Sequence, residues 1–160
     1  MNALFFLASA VAVLATLALI LELNAFHALL YLVVSLLAVA LIFVTLGAPF
    51  AAALEVIIYA GSIMVLFIFV VMMLNAGPRV TQQERSWLRP ATWLGPGVLT
   101  AVLLAGLIYT FQGRGGQVAA IIEPKAVGIS LFGPYVIGVE LASALLLAGL
   151  ISAFRLGRKP

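Results

Sequence analysis

The chain of 160 residues contains no cysteine. That excludes disulfides, thiolate-held iron–sulfur clusters and cysteine metal sites within it. It has one histidine, His27, too few for a bis-histidine haem or a three-histidine zinc centre. Charge is just as scarce: Asp, Glu, Lys and Arg together make 8% of the residues. A water-soluble domain of this size needs far more to cover its surface. The basic residues are few and form no aromatic-interleaved patch, so nucleic acid is excluded as a partner. No Walker loop, dinucleotide fingerprint or nucleophile–base–orienter set is visible. No independent catalytic site is therefore expected.

What fills the chain instead is hydrocarbon. Hydrophobic residues make 66% of it, and the mean hydropathy is +1.30. The apolar runs are continuous and about 20 residues long, enough to cross a bilayer core of about 30 Å as helix. They do not alternate, which argues against a β-barrel. The pattern predicts an all-α integral membrane protein, one membrane domain over residues 1–160. Its five transmembrane helices are expected at about 3–21, 26–46, 51–74, 91–111 and 134–154. The first run lacks a basic leader and a clear cleavage site, and it reads as a retained span. Gly47 to Pro49 and Asn75 to Pro78 stop the second and third runs. Gly95 to Gly97 should loosen the start of the fourth, and Pro134 suits the start of the fifth. Gln112 to Gly133 reads as the longest loop. An odd span count without an internal repeat fits poorly with inverted-repeat transporters.

The few cations are unevenly placed. With five spans, Arg79, Arg85, Arg89, Arg155, Arg158 and Lys159 share one side, and only Arg114 and Lys125 lie on the other. The positive-inside rule then puts the C-terminus in the cytoplasm and the N-terminus outside.

Polar residues inside the runs are the candidates for chemistry. Asn24, His27, Tyr31 and Ser35 recur at helical spacing on one face of the second span. They are either interhelical hydrogen-bonding groups that fix packing or a lining for water and protons. In the third span Glu55, Tyr59 and Ser62 share a face in the same way. Glu55 either snorkels to the outer interface or faces a hydrated path. Tyr59 lies deeper, and a buried phenol needs a partner or water. The pair Gly61–Ser62 suits either close helix packing or a bend or π-bulge. In the fifth span Glu140 sits about two turns from the outer end, near a small-residue pair, Gly138 and Ala142. Snorkelling toward the loop cations is its default reading.

The stretch "EVIIYAGSIMVLFIFVVMMLN", Glu55 to Asn75, resembles the third helix of the subunit J family of bacterial NADH-quinone oxidoreductase, the counterpart of mitochondrial NADH dehydrogenase subunit 6. The family pattern there is "YxGAIMVLFLFVVMML". Ser62 stands where the family usually has alanine, a small residue for a small one. The upstream "HALLYLVVSLLAVALIFVTLGAPFAAALEV" is similar to the family's second helix and link. The resemblance implies a non-redox subunit of the membrane arm of respiratory complex I in the bacterial cytoplasmic (inner) membrane. It implies packing with subunits A, H and K. It implies that NADH, FMN, iron–sulfur clusters and quinone are used by other subunits, with no cofactor bound by this chain. It also implies a π-bulge around Tyr59, Gly61, Ser62, Ile63, Met64 and Val65, whose change to regular helix is linked to opening a hydrated path.

The residues then read together. Tyr59, Glu55, Ser62, His27, Tyr31 and Glu140 are the candidates for a proton path. Gly61 and Ser62 make a register change inexpensive. One extra residue in a turn rotates everything beyond it by about 100°, which would swing Val65, Leu66 and Phe69 into or out of the path as an apolar gate. Two other functions stand beside this one: a purely structural adaptor of the membrane arm, and a subunit of a cation/proton antiporter. The second of these calls for a lysine or paired carboxylates at mid-membrane depth, and no lysine lies inside any expected span.

Overall fold

The computed structural model describes residues 3–74, 90–112 and 120–158. The basic stretch from Arg79 to Arg89, Arg114 and Lys159 lie outside the described residues. Among the described residues every regular element is a helix. Four are long and apolar enough to cross a membrane: Ala3–Leu21, Ala25–Thr45, Pro49–Leu74 and Val136–Gly157. A shorter apolar stretch, Trp93–Tyr109, stands where the fourth of five spans was expected. We label the elements α1 (Ala3–Leu21), α2 (Ala25–Thr45), α3 (Pro49–Leu54), a π segment (Glu55–Ile63), α4 (Met64–Leu74), α5 (Pro90–Phe111), α6 (Pro124–Phe132) and α7 (Val136–Gly157). The third span is thus α3, the π segment and α4 in one continuous rod.

The start and stop signals act as their chemistry requires. Asn24 caps α2, its side chain accepting from the Phe26 N–H at 3.0 Å. Gly47 closes α2 with φ 79°. The Gly47 N–H donates to Val44 O at 3.0 Å and the Ala48 N–H to Phe43 O at 2.9 Å, the two bonds of a Schellman cap. Pro49 then opens α3 in the first turn, where its missing N–H costs nothing. A side chain at Gly47 would have to adopt the left-handed region, at about 1–2 kcal/mol. Gly47→Ala should therefore lower the temperature at which the subunit is lost from detergent-solubilised membranes, without changing activity at moderate temperature. A thermal melt followed by immunoblot measures it.

Two boundaries correct the sequence reading. The expected loop from Gln112 to Gly133 contains the helix α6, with Pro124 in its first turn. The last long helix begins at Val136, not Pro134. Pro134 lacks an N–H and restricts Gly133 before it, so Gly133 to Tyr135 form a turn between α6 and α7. The helix at Gly95–Gly97 also runs on, with Pro96 inside α5.

By its contacts the chain divides into two units, Met1–Ile121 and Ile122–Pro160. In the first, α1 and α2 form the most extensive helix pair, and α2 also touches α3, the π segment, α4 and α5. Its core is Ala8, Val11, Ala15, Val34, Ala38, Leu41 and Leu103. Ala8, Ala15 and Ala38 are each 0% exposed. Small residues at a helix contact let the backbones approach closely, which is how helices associate where no water drives them together. In the second unit α6 touches α7, and neither helix buries a residue.

Candidate functional site in the third span

The site is built on nine residues of π-helix, Glu55–Ile63. A π turn closes N–H bonds to the carbonyl five residues earlier, and it is ordinarily a single-turn bulge. The register is visible at the far end of the segment. The Met64 N–H points to both Tyr59 O and Gly61 O, five and three residues back, and passes over Ala60 between them. Gly61 fits this register because of what surrounds it. A Cβ placed there would lie 3.1 Å from Val56 O, a backbone atom that cannot swing aside. Ser62 marks the same register with its side chain, its Oγ donating to Ile57 O at 3.2 Å.

Burial along this rod is uneven. No residue of the π segment is buried within the chain. Tyr59 is 50% exposed, Glu55 is half-buried, and neither side chain has a hydrogen-bond or ion-pair partner among the described residues. Val65, Leu66 and Phe69 are exposed, whereas Met64 is 1% exposed, the largest fully buried side chain among the described residues. Met64 is thus the point where the second half of the span is seated. An apolar groove of about 510 Å³ runs between α2, α3 with the start of the π segment, and α5. Val56 and Ile57 form part of its wall, and Thr100 brings its only hydroxyl among the described residues.

The polar stripe of α2 divides into separate tasks. Asn24 is the cap described above. His27 is 9% exposed, and its Nδ1 stands 3.9 Å from Glu22 Oε1, beyond hydrogen-bond range. Its Nε2 is buried with no hydrogen-bond partner among the described residues. The Tyr31 hydroxyl lies against Gly95 of α5, where a Cβ would coincide with it and stand 3.1 Å from Tyr31 Cζ. Ser35 faces α1. Its Oγ is 2.9 Å from Thr16 Oγ1 and 3.3 Å from Ala12 O, and Thr16 Oγ1 is 2.8 Å from Ala12 O. Two hydroxyl protons serve these three contacts. The shorter pair assigns Thr16 as donor to Ala12 O and Ser35 as donor to Thr16.

Three residues contribute in ways that their sequence context does not show: Thr16, Gly95 and Met64. Thr16 reads in sequence only as an interruption of an apolar run, although it lies one turn beyond Ala12 on the face of α1 that meets Ser35. Gly95 reads as a loosening residue, whereas its role is to make room for Tyr31. Glu140 lies in α7 of the second unit. Among the described residues no three His, Cys, Asp or Glu side chains lie close enough to hold a metal ion.

Comparison with known proteins adds the family. The family model for NADH-ubiquinone/plastoquinone oxidoreductase chain 6 matches residues 3–156. NADH-quinone oxidoreductase subunit J of Pseudomonas aeruginosa is 56% identical over 158 residues, 97% of this chain and 95% of that one. The subunit J of Escherichia coli K12 is 55% identical over 157 residues, 97% of this chain and 85% of that one. That of Buchnera aphidicola from Schizaphis graminum is 46% identical over 161 residues, covering 99% of each.

Proposed function

The chain belongs to the NADH-ubiquinone/plastoquinone oxidoreductase chain 6 family, and from that premise we propose that it is a non-redox membrane-arm subunit of a proton-translocating NADH-quinone oxidoreductase. It works in the bacterial inner membrane, with its N-terminus outside and its C-terminus cytoplasmic. Subunits A, H and K of the membrane arm are its neighbours. NADH, FMN, iron–sulfur clusters and quinone are handled by other subunits. This chain helps couple quinone reduction to proton transfer through a hydrated path gated at the third span.

The observation that carries this reading is the π segment Glu55–Ile63 in the middle of an otherwise α-helical span. A π turn holds about one residue more than an α turn. Returning one such turn of the segment to α geometry rotates α4 by about 100° relative to α3. That rotation unseats Met64 and turns Val65, Leu66 and Phe69 to new neighbours. Tyr59 and Glu55, unpartnered within the chain, supply the hydroxyl and carboxylate for water in the path. His27 and Tyr31 continue it along α2, and Glu140 stands as a further carboxylate from α7. Asn24 and Ser35 are occupied in capping and packing and drop out of it.

Two measurements test the reading. A C-terminally tagged chain, purified in mild detergent, should bring down a large assembly with NADH-dependent quinone reduction. Recovery of a small inactive species, from membranes whose untagged enzyme survives the same detergent, would overturn it. Within the assembled enzyme, Tyr59→Phe and Glu55→Gln should each lower proton pumping by about 2- to 10-fold, the effect of one lost hydrogen bond. Full pumping in both would leave the chain a structural adaptor.

A further inference from the structure

A serine or threonine hydroxyl that turns back onto its own helix reaches the carbonyl three or four residues earlier. The described residues contain several such bonds. Thr16 donates to Ala12 O at 2.8 Å, Ser143 lies 3.0 Å from Val139 O and 2.9 Å from Glu140 O, and Ser152 donates to Ala148 O at 2.8 Å. Thr45 donates to Ile42 O at 2.7 Å. Ser62 alone among them spans five residues, to Ile57 O at 3.2 Å. The hydroxyl follows the π ladder of its own segment.

We propose that this hydroxyl ties the third span into its π register, which makes Ser62 a positioning residue for the gate. The proposal rests on the gating reading given above and adds what sets the gate's resting state. Ser62 is exposed on a span that meets lipid or partner helices, where an unpaired hydroxyl is costly. It therefore keeps a backbone acceptor in either register. In an α register that acceptor is the carbonyl four residues back, at Ile58, and such back-bonding slightly destabilises and bends an α-helix. In the π register the turn is already open, and the hydroxyl binds Ile57 O without that penalty. That difference favours π. Gly61 acts separately, by leaving space beside Val56 O; Ser62 acts by donating a proton.

The test uses the intact complex with wild-type chain, Ser62→Ala and Ser62→Thr. Cryo-electron microscopy counts the particles whose third span is π or α, and proton pumping is measured on the same preparations. Ser62→Ala should lower the π-to-α ratio by about twofold, the loss of that slight α-register penalty. Ser62→Thr keeps the donor and should hold the wild-type ratio. An unchanged ratio in Ser62→Ala overturns the proposal, as does an equal fall in both variants. A fall in Ser62→Ala with rescue by threonine and unaltered pumping would leave the tie standing and remove the gating reading instead.

Discussion

Leucine in place of Gly61 is expected to cut NADH-driven proton pumping at least about tenfold while the subunit remains inserted and assembled. A Cβ at this position already lies 3.1 Å from Val56 O, and leucine adds three more carbons. The obstructing atom is a backbone carbonyl in the same segment, so the ladder itself has to give by a few tenths of an ångström to admit a side chain. Overpacking of this kind costs about 1–3 kcal/mol. That term acts against the π state, and each 1.4 kcal/mol is a factor of ten in population. The span should settle as α-helix and stop cycling. Because no redox group belongs to this chain, the turnover rate should fall while the KM for NADH holds. Gly61→Ala should lie between wild type and leucine. Wild-type pumping in the Gly61→Leu enzyme would show that the register never has to change.

The distribution of burial is compatible with the proposed cycling. The α1–α2 pair is locked by alanines and by the Thr16–Ser35 hydroxyl contact. The π segment, which slides in the proposed gate, buries no residue within the chain. Met64, one residue beyond it, is fully enclosed. A register change therefore has one internal obstacle, the seat of Met64, and most of its surroundings are left to partner helices or lipid. Segments with few buried contacts are the ones that open at low free-energy cost.

Much of this was legible in the sequence, for physical reasons that also mark where legibility ends. A bilayer demands long apolar runs and internal backbone bonding, so run length located α1, α2 and the third span to within two residues. Glycine and proline stop signals placed the cap at Gly47 and Pro49. The helix α6 escaped because nine residues are too few to show periodicity beside a glycine-rich stretch, and Pro124 reads equally as loop or helix start. The face shared by Asn24, His27, Tyr31 and Ser35 was readable from spacing, but what each one touches was not. Ser35 needed the position of Thr16 on another helix, and Tyr31 needed Gly95 on a third. In the third span, Gly61–Ser62 left close packing and an irregularity both open, and the structure shows a π segment there. Its nine-residue extent, and a serine bond to the fifth residue back, depend on ladder register, which residue identity does not encode.

Leucine at Ala38 should produce the second large effect, and a different one: loss of the subunit and of the assembled enzyme from the membrane. Ala38 is 0% exposed and shares the core with Ala8, Val11 and Ala15 of α1. A leucine side chain there has no space to enter unless α1 moves off α2. That movement would pull Ser35, three residues from the substituted position, away from Thr16, 2.9 Å from it, and leave the Ser35 hydroxyl without its partner in an apolar contact. Overpacking contributes about 1–3 kcal/mol and the lost hydrogen bond about 1 kcal/mol more, a large part of the stability of an ordinary domain. Ala38→Ser, which changes little volume, should accumulate nearly as the wild type does. Immunoblots of membranes and native gels of the solubilised complex measure both. The contrast with Gly61→Leu is the informative part. If α1–α2 is the fixed pair and the third span the moving one, then Ala38→Leu lowers the amount of complex and spares the activity per complex that remains. Gly61→Leu does the reverse. Equal losses of amount and specific activity in both variants would mean that packing and register are one structural problem, and that the π segment has no separate role in turnover.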